Sequence, residues 1–106
     1  MTAELRLADA GSRRTVRLGD LTTVRLPESP TTGYRWQADH DDAALRLVED
    51  RFEGAQSPRG AGGDRVLVFE AARLGSATLR LAKRRGWGGG EPIDEFSAEL
   101  DVQPSD

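Results

Sequence analysis

Apolar and polar residues alternate along most of this chain. Leu79 and Leu81, for example, are two positions apart with a polar residue between them, so that segment can bury one face of a β-strand. The pattern occurs in seven segments, whose apolar positions are Leu5 and Leu7; Val16 and Leu18; Val24 and Leu26; Leu45 and Leu47; Leu67 and Phe69; Leu79 and Leu81; and Phe96, Ala98, Leu100 and Val102. With a further short strand around Trp36, the chain is predicted to be all-β, with about seven to eight strands.

Turn-forming residues separate these segments at fairly regular intervals, as at Gly19-Asp20 and Leu74-Gly75. This spacing is typical of a β-sandwich or barrel. The stretch from Asp41 to Val48 is expected to form at most a short helical turn, followed by a strand through Phe52. A length of 106 residues suits one modest core, so residues 1–106 are predicted to be a single domain.

Composition narrows the possible functions. The formal net charge of −3 and the pI near 5.2 argue against a nucleic-acid partner, because such binding needs a concentrated basic surface. The longest apolar run, Val66 to Phe69, is too short to cross a bilayer, so no membrane partner is expected. The chain contains no cysteine, which excludes disulfides and thiolate metal sites. We expect no cofactor and no bound metal.

The first six residues lack the basic start and apolar core of a secretory signal. A complete chain would therefore be cytoplasmic, whereas a chain from which a signal had been removed would be secreted or periplasmic. The fourteen arginines, against the single Lys83, mostly alternate with apolar strand positions beside acidic residues. They are expected to form the solvated faces of the sheets.

The segment from Glu28 to Trp36 has an unusual composition. Pro30 fixes one backbone angle and Gly33 permits a positive φ, so Thr31 and Thr32 between them should form a stiff, small tip that carries hydroxyl groups. Trp36, and with it Tyr34 on the same strand face, is expected to pack in the core.

Two further segments are rich in glycine. The second runs from Ser57 to Asp64 and contains Gly60-Ala61-Gly62-Gly63; it lacks the Lys-Ser or Lys-Thr pair and the following helix of a phosphate-binding loop. The third runs from Lys83 to Pro92 and contains Arg85-Gly86-Trp87. A tryptophan among glycines has few neighbours to bury it, and an exposed Trp beside Arg is typical of a binding hot spot.

Together these motifs resemble the chagasin family of cysteine peptidase inhibitors. Ser29 to Trp36 is similar to the family's Asn-Pro-Thr-Thr-Gly-Tyr signature with its following Trp, and Gly60 to Gly63 matches its Gly-x-Gly-Gly loop. Arg85-Gly86-Trp87 stands where the family has Arg-Pro-Trp. The order and spacing of the three motifs extend the resemblance over nearly the whole chain. Ser29 in place of asparagine and Gly86 in place of proline depart from the family pattern.

The resemblance implies an immunoglobulin-like β-sandwich whose three loops enter the active-site cleft of papain-like cysteine peptidases. It implies that Thr31 and Thr32 lie over the catalytic cysteine, held by Pro30 and Gly33. It places Gly60, Ala61, Gly62 and Gly63 on the non-primed side of the cleft, and Arg85, Gly86 and Trp87 on the primed side. The protein is then expected to be a monomer that inhibits reversibly and has no enzymatic activity.

Two other interpretations come from different classes of protein. His40 lies in Asp39-His40-Asp41-Asp42, which could suggest a metal site or a catalytic base, but the chain has no second histidine and the spacing points to no common centre. We interpret it as a solvated turn. The other alternative is an immunoglobulin-like interaction or adhesion module that has kept the fold and lost inhibition, since a fold does not guarantee a function.

Overall fold

The computed structural model describes residues 2–40, 43–54, 62–85 and 91–105. Within them lie eight strands: β1 (Thr2–Arg6), β2 (Arg13–Arg17), β3 (Leu21–Glu28), β4 (Tyr34–Ala38), β5 (Leu45–Gly54), β6 (Gly63–Ala71), β7 (Gly75–Arg85) and β8 (Asp94–Gln103). Two short 3-10 turns cover Leu7–Asp9 and Pro30–Thr32. No helix in the described ranges has the length and apolar character needed to cross a bilayer.

The strands form two four-stranded sheets. One has the order β1-β3-β6-β5 and the other the order β2-β8-β7-β4. The edge strands β1 and β2 pair in parallel with β3 and β8, and the remaining pairs are antiparallel. The prediction of an immunoglobulin-like β-sandwich with seven to eight strands is confirmed.

The core lies between the sheets and follows the alternation of the sequence. In β8 the four apolar positions Phe96, Ala98, Leu100 and Val102 are all buried, and in β7 Leu79 and Leu81 are completely so. The largest fully buried side chains are Trp36, Phe69 and Phe96. Burying an apolar side chain of this kind contributes about 1.5–3 kcal/mol, so these alternating positions supply most of the driving force for folding.

Three of the apolar positions expected in strand interiors are in fact partly exposed. Leu7 lies in the first 3-10 turn, Leu18 follows the end of β2, and each has 38% of its surface exposed. Leu47 is 37% exposed and lies on the edge strand β5, next to a shift in its pairing with β6 between Leu47 and Glu49. Such a bulge places an extra residue in one strand and interrupts the regular alternation of faces.

The segment after β4 differs in part from expectation. Ala43 and Ala44 form a turn, and β5 then runs from Leu45 past Phe52 to Gly54. Asp41 and Asp42 lie outside the described residues.

The interpretation of His40 as part of a solvated turn was wrong. Its ring is half-buried and meets the ring of Phe69 edge-on, with centroids 4.9 Å apart and an interplanar angle of 75°. His40 thus covers one end of the core, a packing role for an aromatic ring with a polar edge. In the part of the chain that the structure describes, no group of three or more His, Cys, Asp or Glu residues is arranged to hold a metal ion.

Candidate functional site

Strand register brings the first two loops together. Glu28, the last residue of β3, pairs with Gly63, the first residue of β6. Gly54, the last residue of β5, pairs with the same Gly63. The first loop (residues 29–33) therefore leaves the sheet beside the place where the second loop (residues 55–62) leaves and re-enters it.

In the other sheet, the strand ends that flank the third loop also lie beside the first loop. Tyr34, the first residue of β4, pairs with Arg85, the last residue of β7. Lys83 pairs with Asp94, the first residue of β8, so the third loop (residues 86–93) begins and ends beside the first loop. The strand ends that flank the three loops thus lie at one end of the sandwich, which we call the loop end.

The tip of the first loop is a tight, exposed turn. Within the 3-10 turn Pro30–Thr32, the backbone N–H and the hydroxyl of Thr32 both donate to the carbonyl oxygen of Ser29, at 3.1 and 2.8 Å. Gly33 then has a φ of +82°, which a glycine adopts without strain. Thr31, Thr32 and Gly33 are all exposed, so the tip projects from the sandwich.

Ser29 supports this turn mainly through its backbone. Its carbonyl oxygen receives both bonds from Thr32, whereas its hydroxyl lies 3.4 Å from that of Thr31. A contact of that length is a weak hydrogen bond. The substitution of serine for the family's asparagine therefore leaves the main-chain turn in place.

Trp36 anchors the base of the first loop, as predicted. Only 1% of its surface is exposed, and its Nε1–H donates to the carbonyl oxygen of Pro27 at 2.8 Å. Its backbone N–H donates to Oε1 of Glu28, also at 2.8 Å. The residues on either side of the loop are therefore bonded directly to each other.

Glu28 and Arg65 form an ion pair inside the sandwich. Glu28 is 4% exposed and Arg65 8% exposed, and Nη2 and Nε of Arg65 donate to Oε2 of Glu28 at 2.7 and 3.1 Å. Burial alone would lower the pKa of Arg65, but the hydrogen bond and charge of Glu28 more than offset this, so its pKa is raised. Arg65 is an exception to the expectation that the arginines are solvated.

The Glu28–Arg65 pair was not predicted from the sequence, although both residues occupy inward positions in the alternating pattern. Glu28 continues the inward positions of β3 after Leu26, and Arg65 precedes the inward positions of β6. Opposite charges at inward positions of two strands suggest a buried pair once the strands are known to be neighbours. Because the two residues are 37 positions apart, only the sheet order shows that they meet.

A second charged cluster lies on the outer face of the same sheet. Nη1 of Arg25 is 2.5 Å from Oε1 of Glu53 and 3.6 Å from Oδ2 of Asp64. The hydrogen bond from Arg25, with a further one from Arg51, lowers the pKa of Glu53. These groups are more exposed than Glu28 and Arg65, so each pair contributes little to stability.

The structure leaves no room for a side chain at Gly62 or Gly63. A Cβ at Gly62 would lie 2.8 Å from the carbonyl oxygen of Glu28, and one at Gly63 would lie 2.7 Å from Cα of Gly54 and closer still to the carbonyl oxygen of Glu53. The end of the second loop therefore passes through a gap that only backbone can fill.

Gly63→Ala should consequently destabilise the protein by about 1–3 kcal/mol, the usual cost of overpacking, because β5 or β6 must move to admit the methyl group. Urea unfolding of the purified variant measures this. Gly11→Ala is the comparison, since a Cβ there meets no atom within 4 Å and only its φ of +84° opposes the change. A Gly63→Ala protein that is no less stable than Gly11→Ala would contradict the close approach.

Arg85 lies along the first loop. Its guanidinium carbon is 5.8 Å from the centre of the Tyr34 ring, and a Cβ at Gly33 would lie 3.6 Å from its Nε. Tyr34 is half-buried under this contact and is not the core residue that the sequence predicted. Arg85 itself is exposed, so its charge is available at the loop end.

The structure brings together the described members of the predicted site. Thr31, Thr32, Gly33, Gly62, Gly63 and Arg85 all lie at the loop end, and Pro30 begins the 3-10 turn of the tip. Gly60, Ala61, Gly86 and Trp87 lie outside the described residues. The arrangement can bind a partner by its shape and surface groups, and it defines the class of protein as a β-sandwich with exposed loop residues clustered at one end.

The comparisons with known proteins agree with this class. Residues 15–102 match the model of the family described as "Chagasin family peptidase inhibitor I42". Chagasin from Trypanosoma cruzi is 27% identical over 95 residues, which cover 84% of this chain and 86% of that protein. This chain belongs to the chagasin family of peptidase inhibitors.

Solved structures show the same fold. The cysteine protease inhibitor EhICP2 from Entamoeba histolytica superposes with a TM-score of 0.87 at 21% identity, covering 96% of each chain. The Leishmania mexicana ICP has a TM-score of 0.69 at 25% identity over 90% of each chain. A further neighbour, PbICP-C, was solved in complex with falcipain-2 and has a TM-score of 0.58 at 10% identity over 97% of this chain.

Proposed function

We propose that this cysteine peptidase inhibitor acts by inserting its loop end into the active-site cleft of papain-like enzymes. The observation that carries the proposal is the exposed Thr31-Thr32 tip, held between the end of β3 and the start of β4 and beside the strand ends that flank the other two loops. Its structural neighbours include the cysteine protease inhibitor EhICP2 and PbICP-C, which was solved in complex with falcipain-2. Thr31 and Thr32 would lie over the catalytic cysteine.

The geometry of the tip explains why it should block the enzyme without being cut. Attack by a thiolate needs a carbonyl carbon held at about 3–3.5 Å in an aligned orientation. Here the chain at Pro30–Thr32 is wound into a 3-10 turn, and the N–H and hydroxyl of Thr32 are both bonded to Ser29. A turn closed by its own hydrogen bonds does not offer the extended backbone of a substrate.

The other two loops would widen the contact on either side. The segment Gly60 to Gly63, at the end of the second loop and the start of β6, would lie along the non-primed side, where small residues permit close backbone approach. Arg85 and Trp87 would bind the primed side, with a charge-assisted bond from Arg85 and a large rigid surface from Trp87. Three loops of this size would bury a standard interface of roughly 1,600 Å² in total.

Titration against a small panel of papain-like peptidases, with a serine peptidase as control, tests the proposal. We expect reversible inhibition of the papain-like enzymes, no effect on the serine enzyme, and an inhibitor of unchanged mass after prolonged incubation. Full activity of every papain-like enzyme at high micromolar inhibitor would overturn the proposal. The chain would then be an interaction module that has kept the fold alone.

A further inference from the structure

We propose that the buried pair of Glu28 and Arg65 positions the first loop against the second, and so sets the spacing of the two loops that enter the peptidase. This inference rests on the proposed function above. Neither residue touches the enzyme in this scheme. Both act through the loops that they hold, so they are positioning residues.

Glu28 closes the first loop by a bond across its base. Its Oε1 accepts the backbone N–H of Trp36, eight positions further along the chain, at 2.8 Å. Because Trp36 is itself fixed in the core, this bond determines where β4 begins relative to the end of β3. The tip between them has little freedom to shift while the bond is made.

The other carboxylate oxygen of Glu28 extends this closure to the second loop. Oε2 of Glu28 accepts from Nη2 and Nε of Arg65, which lies in β6 two residues after Gly63. The guanidinium and carboxylate are both planar, and two N–H donors fix the angle as well as the distance between them. One side chain therefore holds the end of β3, the start of β4 and the start of β6 together.

The network continues to the strands on the far side of each loop. Nη1 of Arg65 donates to Oδ1 of Asp50 in β5 at 3.2 Å, and Oδ2 of Asp50 is 3.7 Å from Nη2 of Arg35 in β4. Strands β5 and β6 carry the second loop, and strands β3 and β4 carry the first. Each strand that leads into or out of the two loops thus supplies one member of the network.

Stability alone does not account for a buried ion pair at this place. Removing two charges from water is costly, and well-packed apolar residues of similar volume are often as stabilising as the pair they replace. An apolar pair would, however, lack the directional bonds that fix the loop bases. The pair therefore fixes the relative positions of the loop bases. Peptidase binding requires these positions, whereas folding by itself does not.

The test separates geometry from stability with a double variant. Arg65→Met alone leaves the Glu28 carboxylate buried without its partner and should destabilise the fold. Glu28→Gln/Arg65→Met removes both charges, and the amide oxygen of the new side chain can still accept the Trp36 N–H. Val102→Ala is the control, because Val102 is 2% exposed, lies in the core and pairs with Gly75 at the end remote from the loops. Each protein is assayed with papain at a temperature at which unfolding curves show it fully folded.

We expect the double variant to recover most of the stability lost in Arg65→Met but to inhibit papain about tenfold more weakly than the wild type, because the loops must be ordered on binding. Val102→Ala should stay within about twofold of the wild type, since its site is independent of the loops. Equal inhibition by the double variant and the wild type would overturn the inference.

Hydrogen exchange of residues 29–36 gives a second measurement that does not depend on the enzyme. In the Glu28→Gln/Arg65→Met variant, exchange of the Thr32 amide in the first loop and of the Tyr34 amide at the start of β4 should be faster than in the wild type. Val102→Ala should not accelerate these amides relative to the rest of the chain. If the wild type fails to inhibit papain-like enzymes, the proposed function is wrong. Hydrogen exchange would still show whether the Glu28–Arg65 pair positions the first loop. Unchanged exchange in the first loop would overturn the positioning role.

Discussion

Replacing Trp36 by alanine should lower the free energy of unfolding by about 3–5 kcal/mol, the range for removing a large aromatic side chain from a core. Trp36 is 1% exposed and lies among the core residues between the two sheets. The change also removes the Nε1–H bond to Pro27, leaving that carbonyl with only the 3.3 Å contact to Nζ of Lys83 among the side-chain bonds described. Urea unfolding followed by circular dichroism measures the loss.

Trp87→Ala is the matched control for this change. Trp87 lies outside the described residues, and its position among glycines predicts an exposed side chain that contributes to binding. Its replacement should leave unfolding nearly unchanged and weaken peptidase inhibition by about 2 kcal/mol, or roughly thirtyfold. If Trp36→Ala kept its stability while Trp87→Ala lost it, the assignment of one tryptophan to the core and the other to the contact surface would be wrong.

Thr31→Asp should weaken inhibition by roughly a hundredfold or more, because it would bury a carboxylate without a partner near the thiolate of the catalytic cysteine. Leaving a buried charge uncompensated costs several kcal/mol. Thr31 is exposed in the free protein, so the same change should have little effect on folding. Inhibition constants measured with papain, together with unfolding curves, separate the two effects.

Two further variants show whether the loss depends on the position. Thr31→Ala removes a methyl and a hydroxyl from the tip and should lose only a few-fold in affinity. Ser76→Asp adds the same charge at an exposed residue near the start of β7, at the end remote from the loops, and should not weaken inhibition. If Thr31→Asp and Thr31→Ala weakened inhibition equally, Thr31 would not lie at the catalytic cysteine.

Most of the strands, most of the core and the form of the first loop could be predicted from the sequence alone. Alternation at Phe96, Ala98, Leu100 and Val102 specified which face of β8 is buried, because side chains in a strand point alternately to opposite faces. The positive φ at Gly33 was likewise open to local prediction, because glycine adopts that conformation without the strain that a Cβ would cause. Such features depend on neighbouring residues and on a fixed period.

Tertiary structure decided the features that depend on which strands are neighbours. The partner of Glu28 is 37 positions away, and the atoms that require glycine at Gly62 and Gly63 belong to β3 and β5. The pairing of β5 with β6 shifts register after Leu47, and His40 covers the core because Phe69 lies beside it. Strand alternation predicts which face of the sheet a side chain occupies, but it does not predict which residue that side chain contacts. Contacts between distant segments therefore became known only once the sheet order and register were fixed.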